Sequence, residues 1–167
     1  VGLIGASSFD VQSGTATING PISGTGGLTK NGSGTLVLAG ASTLSGTVSL
    51  NAGTIELAGV SITNPLNMTS GTTLRATGNV TASGNIVIGS GTTTVITTAA
   101  GTDTLTLSGS LSSGSAQFTG PGTIILTGAS ANTHAGQNIG NGTTLRLAKS
   151  VANGAIPVKD LAEDAQP

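Results

Sequence analysis

Asp10, Glu56, Asp103 and His134 are the acids and the histidine before residue 150 that could move a proton in this chain. Carboxylate pairs cleave glycosidic bonds when they stand roughly 5–9.5 Å apart across the scissile linkage. Here more than forty positions separate each acid from the next. A histidine base needs a nucleophile beside it and an orienting acid behind it. His134 lies in Ala131-Asn132-Thr133-His134-Ala135-Gly136, which reads as a surface turn, and the chain has no Gly-x-Ser-x-Gly elbow. One His and no Cys leave no usual zinc ligand set. Gly24-Thr25-Gly26-Gly27 lacks the order of a phosphate-cradling loop, and no calcium-binding Gly-Gly-x-Gly-x-Asp nonapeptide occurs. The expectation is no catalytic residue, no cofactor and no metal site.

The elements that would carry these residues are short. Among 167 residues there are 28 Gly, 7% charged and 1% aromatic side chains, with Thr and Ser abundant. Apolar residues alternate with polar ones over three to five positions before Gly, Asn, Ser or Pro intervenes, which is strand periodicity. Strands of that length cannot make a stable open sheet alone. Stacked about 4.8 Å apart, they pair every backbone group around a narrow aliphatic core.

The stretch from Gly24 to Gly59 shows the unit. Gly34-Thr35 launches Leu36-Val37-Leu38, and Gly53-Thr54 launches Ile55-Glu56-Leu57 one repeat later. The pair recurs at Gly14-Thr15, Gly71-Thr72, Gly91-Thr92, Gly122-Thr123 and Gly142-Thr143. The step is roughly 20 residues throughout, except for a blurred register between 91 and 122. Three strands and three turns need about that many, so the chain reads as an all-β parallel β-helix of about eight coils over residues 1–149. At that rise the three acids stand roughly 10 Å or more apart along the axis, too far to act together.

Alternation places the outer residues of each triplet inward. The expected core ladder is Leu36, Leu38, Ile55, Leu57, Leu74, Ile124, Leu126, Leu145 and Leu147 in common columns. Thr17, Val37, Glu56, Arg75, Ile125 and Arg146 then face out, with Glu56 and Arg75 an exposed pair on adjacent rungs. Gly34, Gly53, Gly71, Gly122 and Gly142 make the turns. The threonines that follow, Thr35, Thr54, Thr72, Thr92, Thr123 and Thr143, would form one ladder along an edge, a geometry ice-binding coils also use. Threonine also suits strand starts and stacks on itself, which is the default reading.

In the stretch from 24 to 59, Gly26, Gly27, Leu28, Lys30, Gly32, Gly34, Thr35, Leu36 and Leu38 match the first half of the pattern GxGGLxKxGxGTLxL–SG–xNxYxGxTxVxxGTLxL, and Asn51, Gly53, Thr54, Ile55 and Leu57 match the second. The segment resembles the autotransporter-associated β-strand repeat, also called the passenger-associated transport repeat. A looser copy spans 120–147, and the Tyr typical of the family is replaced by Leu44 in the first copy or by Thr133 in the second. The resemblance implies a right-handed parallel β-helix in a secreted or surface-displayed bacterial protein. It implies a stalk or scaffold supporting adhesion or display at a Gram-negative-type surface, and no enzyme. The alternative from the residues is a subunit of an extracellular fibre or sheath, built by end-to-end stacking of uncapped coils. Partners would be neighbouring repeats of the same or identical chains, and host or neighbour-cell surface ligands.

Net charge −1 and a pI near 5.5 give no basic face for nucleic acid. No apolar run reaches the ~18 residues of a membrane helix. The pattern is already running at Val1, as in a segment of a longer parent. Residues 150–167 hold Lys159, Asp160, Glu163 and Asp164, four of eleven charges, and read as a linker or cap.

Overall fold

Glycine-rich turns cut the chain into strands too short to stand alone, and stacking supplies what each lacks. The computed structural model describes residues 1–151. In chain order the strands are β1 (Ser7–Asp10), β2 (Thr15–Ile18), β3 (Ile22–Gly24), β4 (Leu28–Asn31), β5 (Thr35–Leu38), β6 (Ser42–Leu44), β7 (Val48–Leu50), β8 (Thr54–Ala58), β9 (Leu66–Met68), β10 (Thr73–Thr77), β11 (Asn79–Ala82), β12 (Ile86–Ile88), β13 (Thr94–Thr98), β14 (Thr104–Leu107), β15 (Leu111–Thr119), β16 (Thr123–Gly128), β17 (Thr133–Ile139) and β18 (Thr144–Lys149). Every pairing among them is parallel, and each joins a strand to its counterpart about one turn away.

The strands form three faces of a coil. Face A is the ladder β1, β4, β7, β9, β12 and the first part of β15; face B is β2, β5, β8, β10, β13 and the rest of β15. Face C holds β3 and β6 below and β11, β14, β16 and β18 above, with an isolated bridge from Ile62 to Ala82. The result is a parallel β-solenoid of about seven turns of ~21 residues, one fewer than the eight expected from counting Gly-Thr pairs. Turn length varies: Val48 pairs with Leu66 on the next rung, a short turn, whereas Ile86 pairs with Leu111, a long one. That variation is taken up in the corners, so the strands stay in register.

The bore is mostly aliphatic. On face B, Leu36, Ile55, Leu74, Ile96 and Phe118 stack in one column. All five are fully buried. Leu38 lies under Leu57 in the next column. Each buried aliphatic side chain of this kind contributes about 1.5–3 kcal/mol relative to exposure.

The common column does not extend to Ile124, Leu126, Leu145 and Leu147. These lie on face C, in register with Leu105 and Leu107 of β14. The cause is β15. In lower coils a Gly-x-Gly turn such as Gly32-Ser33-Gly34 bends the chain from face A to face B. The nine residues of β15 run across both faces without that turn, with Ser113 in the left-handed region at φ 72°. The next Gly-Thr turn, Gly122-Thr123, therefore bends face B into face C. From Gly101-Thr102 onward the motif stands at the corner from face B to face C and is missing at the corner from A to B, which is why its register blurs between 91 and 122. Leu145 is half-buried and Leu147 is 49% exposed, because they lie on the last described rung.

The expected single threonine ladder does not form, for the same reason. On face B the outward column is Thr15, Thr35, Thr54 and Thr73, followed by Val95. On face C, Thr104, Thr123 and Thr144 align. Thr72 is buried, with its hydroxyl donating to the Thr69 carbonyl at 2.6 Å. Thr92 sits in the turn before β13. Thr143 precedes β18 and donates to the Gly120 carbonyl at 2.9 Å. The doubled Thr in 72–73 and 143–144 puts the second threonine in the column and turns the first into the corner. Of the tail at 150–167, residues 152–167 lie outside the described residues.

Candidate functional site

Lys30 is the residue whose place composition alone would not suggest. In Leu28-Thr29-Lys30-Asn31 it shares the parity of Leu28, so alternation sends its side chain into the bore. It is 0% exposed, in a face A column between Phe9 below and Leu50 above. The aliphatic stem packs in that column and the ammonium emerges at the corner between faces A and B. There Nζ donates to the carbonyls of Asn31 at 2.8 Å, Gly32 at 2.7 Å and Ala52 at 3.2 Å. All three ammonium protons are used. Ala52 belongs to the next coil, so one side chain ties its own turn to the turn above. Desolvation lowers the Lys30 pKa, with the negative charge of Asp10 acting against it.

The surrounding motif residues make that corner possible. Gly32 has φ 76° and Gly53 φ 70°, where a side chain is strained. A Cβ on Gly53 would stand 2.6 Å from the Gly32 carbonyl oxygen, closer than any real contact. Outside the same corner, Asn51 donates to Asn31 at 2.9 Å and Asn31 donates to Ser8 at 2.7 Å. The repeat is thus a device for locking one turn on the next, inside through Lys30 and outside through amides.

The acids singled out from the sequence are separated and each has a local task. Asp10 accepts from the Gln12 side chain at 2.7 and 2.8 Å. Glu56 and Arg75 face each other on paired strands, Oε2 to Nη1 at 3.7 Å, and Thr77 donates to Glu56 at 2.8 Å. The Arg75 side chain is 45% exposed. Arg75→Ala accordingly costs about 0.2–1 kcal/mol, less still in high salt, by denaturant unfolding. Asp103 is buried in the longer turn between β13 and β14, where it accepts from the backbone of Gly78 at 2.8 Å and Ala100 at 2.6 Å. It staples a turn to the coil below. Asp103→Ala orphans both amides and lowers stability by about 2 kcal/mol, with Asp103→Asn milder because one acceptor survives. A loss under about 0.5 kcal/mol for Asp103→Ala, the scatter of ordinary surface substitutions, would remove the staple assignment.

His134 is not in a surface turn. It lies in β17, 1% exposed, edge-to-face on Phe118 at 6.5 Å, with Nε2 3.3 Å from Gln137 Oε1. Among the described residues no group of three His, Cys, Asp or Glu could hold a metal ion, and no helix is long and apolar enough to cross a membrane.

The sequence profile of the passenger-associated-transport-repeat family matches residues 28–57, the span from β4 through the middle of β8. It therefore contains Lys30, its three carbonyl partners and both glycine turns. No curated protein and no solved structure matches the chain. Residues 120–147, the looser copy, carry their Gly-Thr turn on a different face from the matched repeat.

Proposed function

On the premise that residues 28–57 are a passenger-associated transport repeat built into a β-solenoid, we propose that this chain is a stalk segment of a secreted or surface-displayed autotransporter-like protein. It holds an adhesive or otherwise active part away from a Gram-negative-type surface. The observation that carries the reading is the coupling at the matched repeat, where one buried ammonium joins adjacent turns. A rod made this way extends by one rung, ~4.8 Å, per turn, or roughly 30 Å for the described part. Each turn can also fold on the one already formed, because every strand pairs with a neighbouring coil; the Lys149 side chain reaches two coils down, to the Gly109 carbonyl at 2.8 Å. That suits a chain crossing a membrane end first.

The test joins the 167-residue chain, with an N-terminal epitope, to an outer-membrane β-barrel translocator. The epitope is expected at the cell surface in protease-resistant linkage. Disrupting the coil with Lys30→Ala and Gly84→Ala together should make the segment protease-sensitive and lower display. Equal display and equal resistance in the disrupted chain would refute the stalk reading. Sedimentation of the isolated chain separates stalk from fibre subunit: a monomer at high concentration rules the fibre out.

A further inference from the structure

The outer surface of face A carries a concavity of about 450 Å³. This volume falls in the ~300–1,000 Å³ range of small-ligand sites. Its floor is the outward column Ser49, Asn67 and Val87, one residue from each of three successive rungs. Its wall is the corner toward face B, where the turns lengthen from 51–53 to 69–72 to 89–93 and contribute Asn51, Thr69, Ser70, Gly89 and Ser90 to the lining. That wall is fixed before any ligand arrives. Ser70 donates to the Thr92 carbonyl at 2.7 Å, tying the two longest of these turns together, and Thr72 closes its own turn onto Thr69.

The chemistry of the lining is consistent. No charged side chain contributes to it. The side chains of Ser49, Asn67 and Ser90 make no hydrogen bond among the described residues, so their hydroxyls and amide point to solvent with donors and acceptors to offer. Val87, 42% exposed, supplies the apolar spot between them and is the one large apolar side chain so exposed on the inner rungs of this face. A row of neutral donors and acceptors beside a small apolar patch matches hydroxyls beside C–H groups. A charged ligand would find no counter-ion here, and an extended peptide would find no free strand edge, because β7, β9 and β12 are paired on both sides.

We propose that this groove is a binding site for a neutral oligosaccharide laid along the coil axis, taking one polar contact per rung. With no aromatic ring in the lining to stack on, a single site is expected to bind weakly. The role is separate from that of the stalk: a rod needs no such groove, and the groove could fail with the rod intact.

Saturation-transfer NMR and titration of the full chain would use maltohexaose, cellohexaose and chitohexaose as neutral probes. Polygalacturonate serves as an anionic probe and a Gly-Ser peptide as an extended one. At least one neutral oligosaccharide is expected to bind. Asn67→Ala is expected to weaken it about fivefold, the effect of one lost hydrogen bond. Val87→Lys, at an exposed site that leaves the core alone, should abolish it. Thr43→Lys on face C should leave it unchanged, and circular dichroism should show all three variants folded. Binding by none of the neutral probes, or binding indifferent to Asn67→Ala and Val87→Lys, overturns the proposal. So does capture of only the anionic or the peptide probe.

Discussion

Gly84→Ala is expected to destabilise the solenoid by about 3 kcal/mol or more, a large effect for a single methyl group. Gly84 sits at the corner between faces C and A, between β11 and β12. An added Cβ there would run into the carbonyl of Asn64, on the rung below, and would lie 2.7 Å from Pro65 N. Those atoms are backbone, so relief requires lifting one rung off another and breaking ladder bonds. The same corner is occupied by Gly26 over Gly5, Gly46 over Gly26 and Gly109 over Gly84, each without room for a Cβ. Where Asn64 interrupts the glycines, its amide donates to Leu44 and Gly46 of the rung below, at 2.8 and 2.7 Å. Gly20→Ala is the control. It has open space around it and no left-handed φ, so its effect should stay within about 0.5 kcal/mol. Urea unfolding of the three proteins measures the contrast. Equal midpoints for Gly84→Ala and Gly20→Ala would show that the rungs are not in van der Waals contact at that corner.

Lys30→Ala should cost about 2–4 kcal/mol, because it removes a charged donor from three carbonyls and a buried stem from the bore. Lys30→Met keeps most of the stem and should recover the packing part, leaving about 1.5–3 kcal/mol from the carbonyls. An apolar replacement is often neutral at a buried ion pair because both partners can be exchanged. Here the partners are main-chain oxygens of Asn31, Gly32 and Ala52, which no substitution removes. Hydrogen exchange should locate the damage at the turns 31–34 and 51–53, where local opening becomes easier while distant rungs keep their protection. A Lys30→Met chain as stable as the original, with unchanged exchange at those turns, would reduce Lys30 to filler.

Much of the architecture is legible in the sequence, and what is not has identifiable causes. The Gly-Thr step from 14 through 71 specifies rungs, since Leu36, Ile55 and Leu74 recur at the length of one turn and alternate with polar residues. The pairing of Glu56 with Arg75 follows from the same step. The burial of Lys30 is present in its two-residue spacing from Leu28, but lysine in a strand is ordinarily a surface residue and only the three carbonyls around Nζ explain its place. His134 has the same inward parity in β17, within a stretch of small residues that resembles a turn.

What the chain's residues determined alone is the repeating unit: short alternating strands, glycine corners and a largely apolar interior. Which face each unit occupies was decided only in three dimensions. The Gly-Thr pair looks alike on every face, so local pattern cannot register that β15 crosses a corner without turning and that Gly122-Thr123 stands at the entrance to face C. The groove on face A likewise is lined by three successive turns and three rungs stacked in register, a relation between residues a full turn apart that no single stretch contains.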